Sequence, residues 1–209
     1  MKTLLKSALA IAALSVPSFA MAATYEIDPA HTTAQFSVKH MMVTNVRGEF
    51  GKVTGALELD EKDITKSTVN VSIDTTTIDT RQPQRDAHLK SKDFFEVEKY
   101  PAITFKSKKV EKAGEGKLKV TGDLTMHGVT KEIVLDVEGP SKEFKDPYGN
   151  MRLGATAATT LSRKDFGLNW NKALEAGGVM VSDEVKVALD VETTKKAATP
   201  AAATAKDTK

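Results

Sequence analysis

The chain contains no cysteine in its 209 residues. With no disulfide to staple it and no thiolate to hold a metal, a fold of this size depends on an apolar core. Aromatic residues are sparse, at 6% of the composition, too few for the paired aromatic girdles of an outer-membrane barrel. Long apolar runs are also missing: the stretch from Leu9 to Val16 is shorter than the roughly 20 residues of a membrane-spanning helix.

That short run does have a meaning. Lys2 and Lys6 precede it and Ala20-Met21-Ala22 follows it, which is the pattern of a secretory signal peptide spanning residues 1–22. The mature chain is therefore expected to be exported. Removing the leader takes away two of 30 basic residues and none of 28 acidic ones, leaving 28 against 28. A balanced chain offers no basic face for nucleic acid, and no nucleic-acid partner is expected. At the other end, residues 193–209 contain no aliphatic side chain larger than alanine and no aromatic one, so a disordered tail is expected. The domain is assigned to 23–192.

Within it, apolar and polar residues alternate. Val69, Val71 and Ile73 share one strand face; Leu118, Val120, Leu124 and Met126 share another; Phe36 and Val38, and Ile103 and Phe105, repeat the pattern. The parity slips between Phe50 and Val53 beside Gly51, which predicts a bulge. Links such as His127-Gly128 are too short for parallel crossovers, so the sheet is antiparallel. Eight or nine strands suffice to close a small barrel, and a two-layer sandwich is the competing arrangement. Ser107, Gly122, Ala155, Ala157 and Thr159 stand on inward faces where a packed core would carry bulk. Opposing side chains or a guest fill that space, and the pattern alone does not decide between them.

Residues 81–95, RQPQRDAHLKSKDFF, break the alternation. The spacing of Arg81, Arg85 and Leu89, with Pro83 suited to a first turn, predicts a short helix between two strands. Phe94 and Phe95 then supply an apolar patch to dock on a barrel end. Arg85, His88 and Lys90 are candidates for holding a phosphate or carboxylate head group at the mouth; the plainer reading is a cap whose charges pair with neighbours. Asp86, His88 and Ser91 also permit a small secreted hydrolase as an alternative, although no Gly-x-Ser-x-Gly elbow accompanies them. The histidines at 31, 40, 88 and 127 show no metal-ligand spacing, and no metal or catalytic residue is assigned.

Four stretches in order, DTRQPQRDAHLKSKDFF, YPAITFKS, GDLTMHGVTKEI and RKDFGLNW, resemble the motifs of the YceI-like family of periplasmic polyisoprenoid-binding proteins across residues 24–192. The resemblance implies an all-β fold: a closed, antiparallel, eight-stranded lipocalin-like barrel with a short helix inserted between two strands. It also implies a non-catalytic carrier for an isoprenoid, quinone or other fatty chain, with no cofactor and with a stress-related role. The motifs carry over Arg85, Asp86, His88, Leu89, Phe94 and Phe95, and Gly122, Leu124, His127 and Gly128. His127 departs from the asparagine of many relatives and receives no role.

In such a barrel the expected apolar lining is Phe36, Val38, Met42 and Phe50 from the first strands and Val71, Ile73, Ile103 and Phe105 from the middle ones. Leu118, Val120 and Leu124 follow, with Leu89, Phe94, Phe166 and Trp170 from the connections. A guest with roughly 20 buried carbons would gain ~16 kcal/mol before association costs, so the wall sets affinity and charges at the mouth set orientation. The partners expected are a lipid-like molecule and transient membrane contact, with the protein a monomer or homodimer.

Overall fold

The computed structural model describes residues 22–175 and 177–197. The expected leader lies outside the described residues apart from Ala22, as does the tail beyond residue 197.

Chain order begins with β1 (Ala23–Ile27), β2 (Thr33–His40), β3 (Thr44–Phe50) and β4 (Val53–Leu59). β2 pairs with β3 and β1 with β4, so these four segments form one long hairpin. It is interrupted after Ile27 and again after Phe50, where the bulge was expected. β5 (Thr68–Asp74) pairs with β4, and the two-residue β6 (Ile78–Asp79) touches the end of β3. After helix α1 (Pro83–Lys90) come β7 (Ala102–Gly114), β8 (Lys117–Met126) and β9 (Val129–Glu138), a meander of neighbours. Last are β10 (Phe144–Lys145), β11 (Met151–Ser162) and β12 (Val181–Lys195).

Closure comes from β12, which pairs with β11 on one side and with β2 and then β1 on the other. Counting the β1–β2 and β3–β4 runs as one strand each and leaving out the two-residue β6 and β10, eight antiparallel strands close into a barrel, with a single short α-helix among the described residues. Two seams are incomplete. β9 and β11 share only three residue pairs, Thr156 to Ala158 against Asp136 to Glu138, and among the described residues β3 meets no strand beyond its last two residues on the side away from β2. The last strand runs to Lys195, with Thr193 buried and Tyr25 opposite Lys195. The tail boundary at 193 is thus corrected by three residues: threonine side chains that looked unable to order themselves are fixed by backbone pairing on both edges.

The helix forms where its spacing predicts. Pro83 occupies the first turn, and the Gln82 side chain accepts from the backbone N–H groups of Gln84 and Arg85 at 2.7 and 3.4 Å. Behind it, residues 91–101 fold back so that Phe95 N–H donates to Leu89 O and Val97 N–H to Lys90 O. This cap lies at the barrel end that also holds the β2–β3, β8–β9 and β11–β12 connections. At the opposite end, Tyr25 is fully buried with Leu59 and Leu153. Its hydroxyl donates to Glu143, which Lys195 also meets at 2.9 Å. That end is closed.

Candidate ligand-binding cavity

Between the cap and the middle of the barrel lies an apolar cavity of about 180 Å³. Strands supply most of its wall because their inward faces alternate with period two: Phe36 and Val38 from β2, Phe50 from β3, Val71 and Ile73 from β5, Ile103 and Phe105 from β7, and Leu124 from β8. The cap adds Leu89, Phe94 and Phe95. Aromatic rings meet in two groups on this roof: Phe36 to Phe50 at 5.8 Å between centroids and Phe50 to Phe95 at 5.6 Å, and separately Phe94 to Trp170 at 5.2 Å. The far wall, from Ile133, Leu135, Leu161, Val185, Val187 and Leu189, was not among the residues expected in the lining. Its signal was present as plain alternation in β9, β11 and β12, but alternation alone does not say at which height along a strand the interior is hollow.

Five residues expected in the lining stand elsewhere. Met42 is exposed at the tip of the β2–β3 hairpin, where both it and Met41 adopt positive φ (60° and 48°) and Val43 N–H donates to His40 O; that turn projects its side chains away from the barrel. Leu118 and Val120 pack within the core toward the closed end, below the hollow part. Phe166 is buried in the 3-10 turn Arg163–Phe166, beneath the β8–β9 hairpin, where His127 meets its carbonyl. Trp170 sits on the rim, edge-on to His88 at 4.9 Å.

At Gly122, one of the small inward residues, it is an opposing side chain that fills the space. A Cβ on Gly122 would lie 2.5 Å from the Phe105 ring, and one on Gly48 would lie 2.4 Å from the Phe36 ring. Both glycines are therefore seats for aromatic rings of the cavity wall. Ser107 is buried and accepts from Val69 N–H at 2.8 Å beside a register shift in β7. Of the five, Thr159 alone lines the cavity among the described residues.

The expected polar trio does not converge. Arg85 turns toward the chain preceding the helix, donating from Nε to Thr80 Oγ1 and from Nη2 to Thr80 O, each at 2.7 Å. It borders a separate surface cleft with Arg47, Arg81, Glu49 and Asp79. His88 Nε2 pairs with Asp93 Oδ2 at 2.9 Å, and Lys90 makes no ion pair among the described residues. The hydrolase grouping is not assembled either. Asp86 accepts from Thr80 N–H and Oγ1–H at 2.8 and 2.5 Å, while the Ser91 hydroxyl donates to the His88 carbonyl at 2.8 Å. No imidazole nitrogen faces the serine oxygen, as a triad requires.

One functional side chain escaped the sequence reading. Arg163 is the single charged residue lining the cavity among the described residues, and it is buried. Its guanidinium donates to the carbonyls of Ser182 at 2.9 Å, Trp170 at 2.9 Å and Leu168, and meets Asp183 Oδ1 at 3.1 Å. Burial pushes its pKa below the usual value and Asp183 opposes that shift. Satisfied this way, it ties the rim loop after β11 to the start of β12 and leaves the cavity surface apolar. Its position in RKDFGLNW was visible, but nothing local marks an arginine as buried.

Outside the cavity, Asp28, His31 and Glu192 stand close enough to share an ion. Arg152 already fills that position, with Nη1 donating to Asp28 at 2.8 Å and to Glu192, and Nε to Asp146 at 2.7 Å.

Comparison with known proteins agrees with this architecture. The model of the YceI-like domain matches residues 25–193. A UPF0312 protein of Vibrio parahaemolyticus is 43% identical over 169 residues, covering 80% of this chain and 88% of that protein. The crystal structure of a Campylobacter jejuni YCEI protein superposes with a TM-score of 0.65 at 32% identity, covering 76% of this chain and 90% of that one. A polyisoprenoid binding domain from Saccharophagus degradans, at 18% identity and a TM-score of 0.62 over 84% of this chain and 99% of its own, shares the fold. With the barrel, the inserted helix and a family match across nearly all of the described residues, the chain belongs to the YceI-like family.

Proposed function

We propose that this protein is an exported, non-enzymatic carrier that holds the apolar part of a long-chain isoprenoid or similar lipid inside its barrel, in the periplasm. The observation that carries this reading is the cavity itself. Folded interiors of ordinary composition leave few voids larger than a water molecule, whereas here about 180 Å³ is enclosed by almost purely apolar side chains. Apolar cavities of about 150 Å³ stay free of water and accept benzene-sized guests. The binding of polyisoprenoid named for the Saccharophagus degradans domain supports the same class of guest.

The size of the space revises the energetic expectation. A cavity of this volume holds a segment of roughly six carbons, for a gross gain of ~5 kcal/mol at about 0.8 kcal/mol per CH₂. A longer chain therefore extends through the rim between the cap and the β2–β3 hairpin, or lifts Phe94 and Phe95. The export reading rests on the leader pattern of residues 1–22, and the accompanying stress role on the family resemblance alone.

The test is mass spectrometry of an organic extract from mature protein purified without detergent. An isoprenoid or fatty chain at near-stoichiometric amount is expected. A protein that carries no lipid and takes up no polarity-sensitive apolar dye would remove the proposal.

A further inference from the structure

The cap closes onto the barrel against the β8–β9 hairpin. His127 and Gly128 form the two-residue turn between Met126 and Val129, with φ of 51° and 75°, a conformation that asparagine or aspartate before glycine usually supplies. A Cβ on Gly128 would lie 2.7 Å from the Tyr100 ring, so the glycine seats that ring, and the ring in turn meets the His127 imidazole at 4.7 Å between centroids. Across this contact stands Glu96, also at positive φ, 45°. It follows Phe94 and Phe95, which roof the cavity, and its carbonyl accepts from the N–H groups of Lys99 and Tyr100, each at 2.9 Å. Two non-glycine residues in a costly backbone region thus face one another where the cap ends.

Both nitrogens of the His127 ring face acceptors. The 3.3 Å contact of Nδ1 with the Phe166 carbonyl requires the proton on Nδ1, because a carbonyl only accepts, and in the neutral ring this leaves a lone pair on Nε2. Nε2 is buried, makes no hydrogen bond among the described residues, and lies 3.7 Å from Glu96 Oε2. A lone pair beside a carboxylate, with only 18% of the histidine side chain and 33% of the glutamate exposed, is an unfavourable neighbour. A proton on Nε2 converts it into a charge-assisted hydrogen bond once the two atoms close by roughly 1 Å.

The charges on the surrounding elements leave that pairing open. Lys99 stands 3.8 Å from Glu96 and over the Tyr100 ring, in solvent, so it can keep Glu96 when the imidazole is neutral. Arg163 and Lys164 on the 3-10 turn are held by Asp183. Glu98 on the cap, Asp165 on the turn and Lys131 on β9 make no ion pair among the described residues. The other histidine of the cap, His88, pairs with Asp93 of the cap itself and touches Trp170 on the rim.

We propose that His127 and Glu96 are a proton-operated latch: the imidazolium ties the cap to the β8–β9 hairpin and holds Phe94 and Phe95 over the cavity, and loss of the proton frees the cap to exchange the guest. Imidazole is the side chain whose charge ordinarily changes between about pH 5 and 8. The proposal rests on the carrier reading for its purpose, while the latch itself is measurable in the protein without a guest.

Two readouts test it on the mature chain at about pH 5.5 and about pH 7.5. The first is hydrogen exchange, corrected for intrinsic rates, at the Phe95 and Val97 amides that bond to Leu89 and Lys90, with amides of β4 and β5 as the reference. The second is the release rate of a polarity-sensitive dye on an uncharged fatty chain. At the lower pH, cap protection should rise and dye release should slow, each by about three- to fivefold, as expected for a partly exposed ion pair. His127→Asn, which suits the positive φ of the turn, and Glu96→Gln should each abolish both differences, and His88→Asn should retain them. Equal behaviour of the wild type at the two pH values, a pH difference that survives His127→Asn, its loss in His88→Asn, or cap protection that changes while dye release does not would overturn the proposal. A wild type that takes up no dye while its cap protection follows pH as stated would support the latch and count against the carrier reading.

Discussion

Filling the cavity from within separates a built binding chamber from an incidental packing defect. Val187 on β12 faces the hollow, paired with Thr159 on one side and Phe36 on the other. Val187→Phe introduces a benzene-sized ring into a space of about 180 Å³, and a cavity of about 150 Å³ is enough for benzene. Four added carbons contribute ~3 kcal/mol of gross transfer energy, offset by about 1–3 kcal/mol for imperfect fit. The variant should therefore fold with stability within about 2 kcal/mol of wild type, read by urea unfolding. A guest loses the same space: roughly six displaced carbons correspond to ~5 kcal/mol, or on the order of a thousandfold in affinity. Titration with a polarity-sensitive fatty-chain dye measures this directly. Unchanged dye affinity in a folded Val187→Phe protein would refute the assignment of the cavity as the guest site.

Other expectations follow from particular contacts. Gly48→Ala places a methyl group 2.4 Å from the Phe36 ring and 2.7 Å from the Thr80 methyl, so urea unfolding should report a loss of about 1–3 kcal/mol together with weaker dye binding; wild-type values for both would show that the ring is free to move. Arg163→Leu strands the carbonyls of Leu168, Trp170 and Ser182 and leaves Asp183 with Lys164 alone. A stability loss of about 3–5 kcal/mol is expected by thermal or urea denaturation. The Arg152 guanidinium, and after it His31, hold the Asp28 carboxyl down from 3.8 to about 2. A carboxyl with a depressed folded-state pKa adds stability that is complete above its unfolded value and disappears as pH falls through the folded one. Stability should therefore drop between about pH 4 and pH 2, and Arg152→Leu should flatten that limb when denaturation midpoints are compared across the window.

Much of this molecule was legible in one dimension because side chains on a strand alternate faces whatever lies beyond them. Phe36, Val38, Val71, Ile73, Ile103, Phe105 and Leu124 announced their inward direction by period two alone, and the parity slip at Gly51 marked the bend between β3 and β4. Pro83 and the spacing to Leu89 marked the helix. Height along the barrel was not legible. Val120 and Leu124 share a strand face, yet only Leu124 reaches the hollow part, because the core near the closed end is filled by neighbours from other strands. Gly122 looked like missing bulk, although its role is to seat a ring contributed from the adjacent strand.

The sequence by itself determined the antiparallel strands, their inward faces, the inserted helix and the family, since each depends on local periodicity or on an ordered run of motifs. Only the tertiary structure decided where the barrel is empty and where the charges go. Arg85 turns to Thr80, His88 to Asp93 and Arg163 inward to backbone carbonyls. Those choices are set by partners distant in the chain or by turns whose direction depends on packing, and no local pattern encodes them.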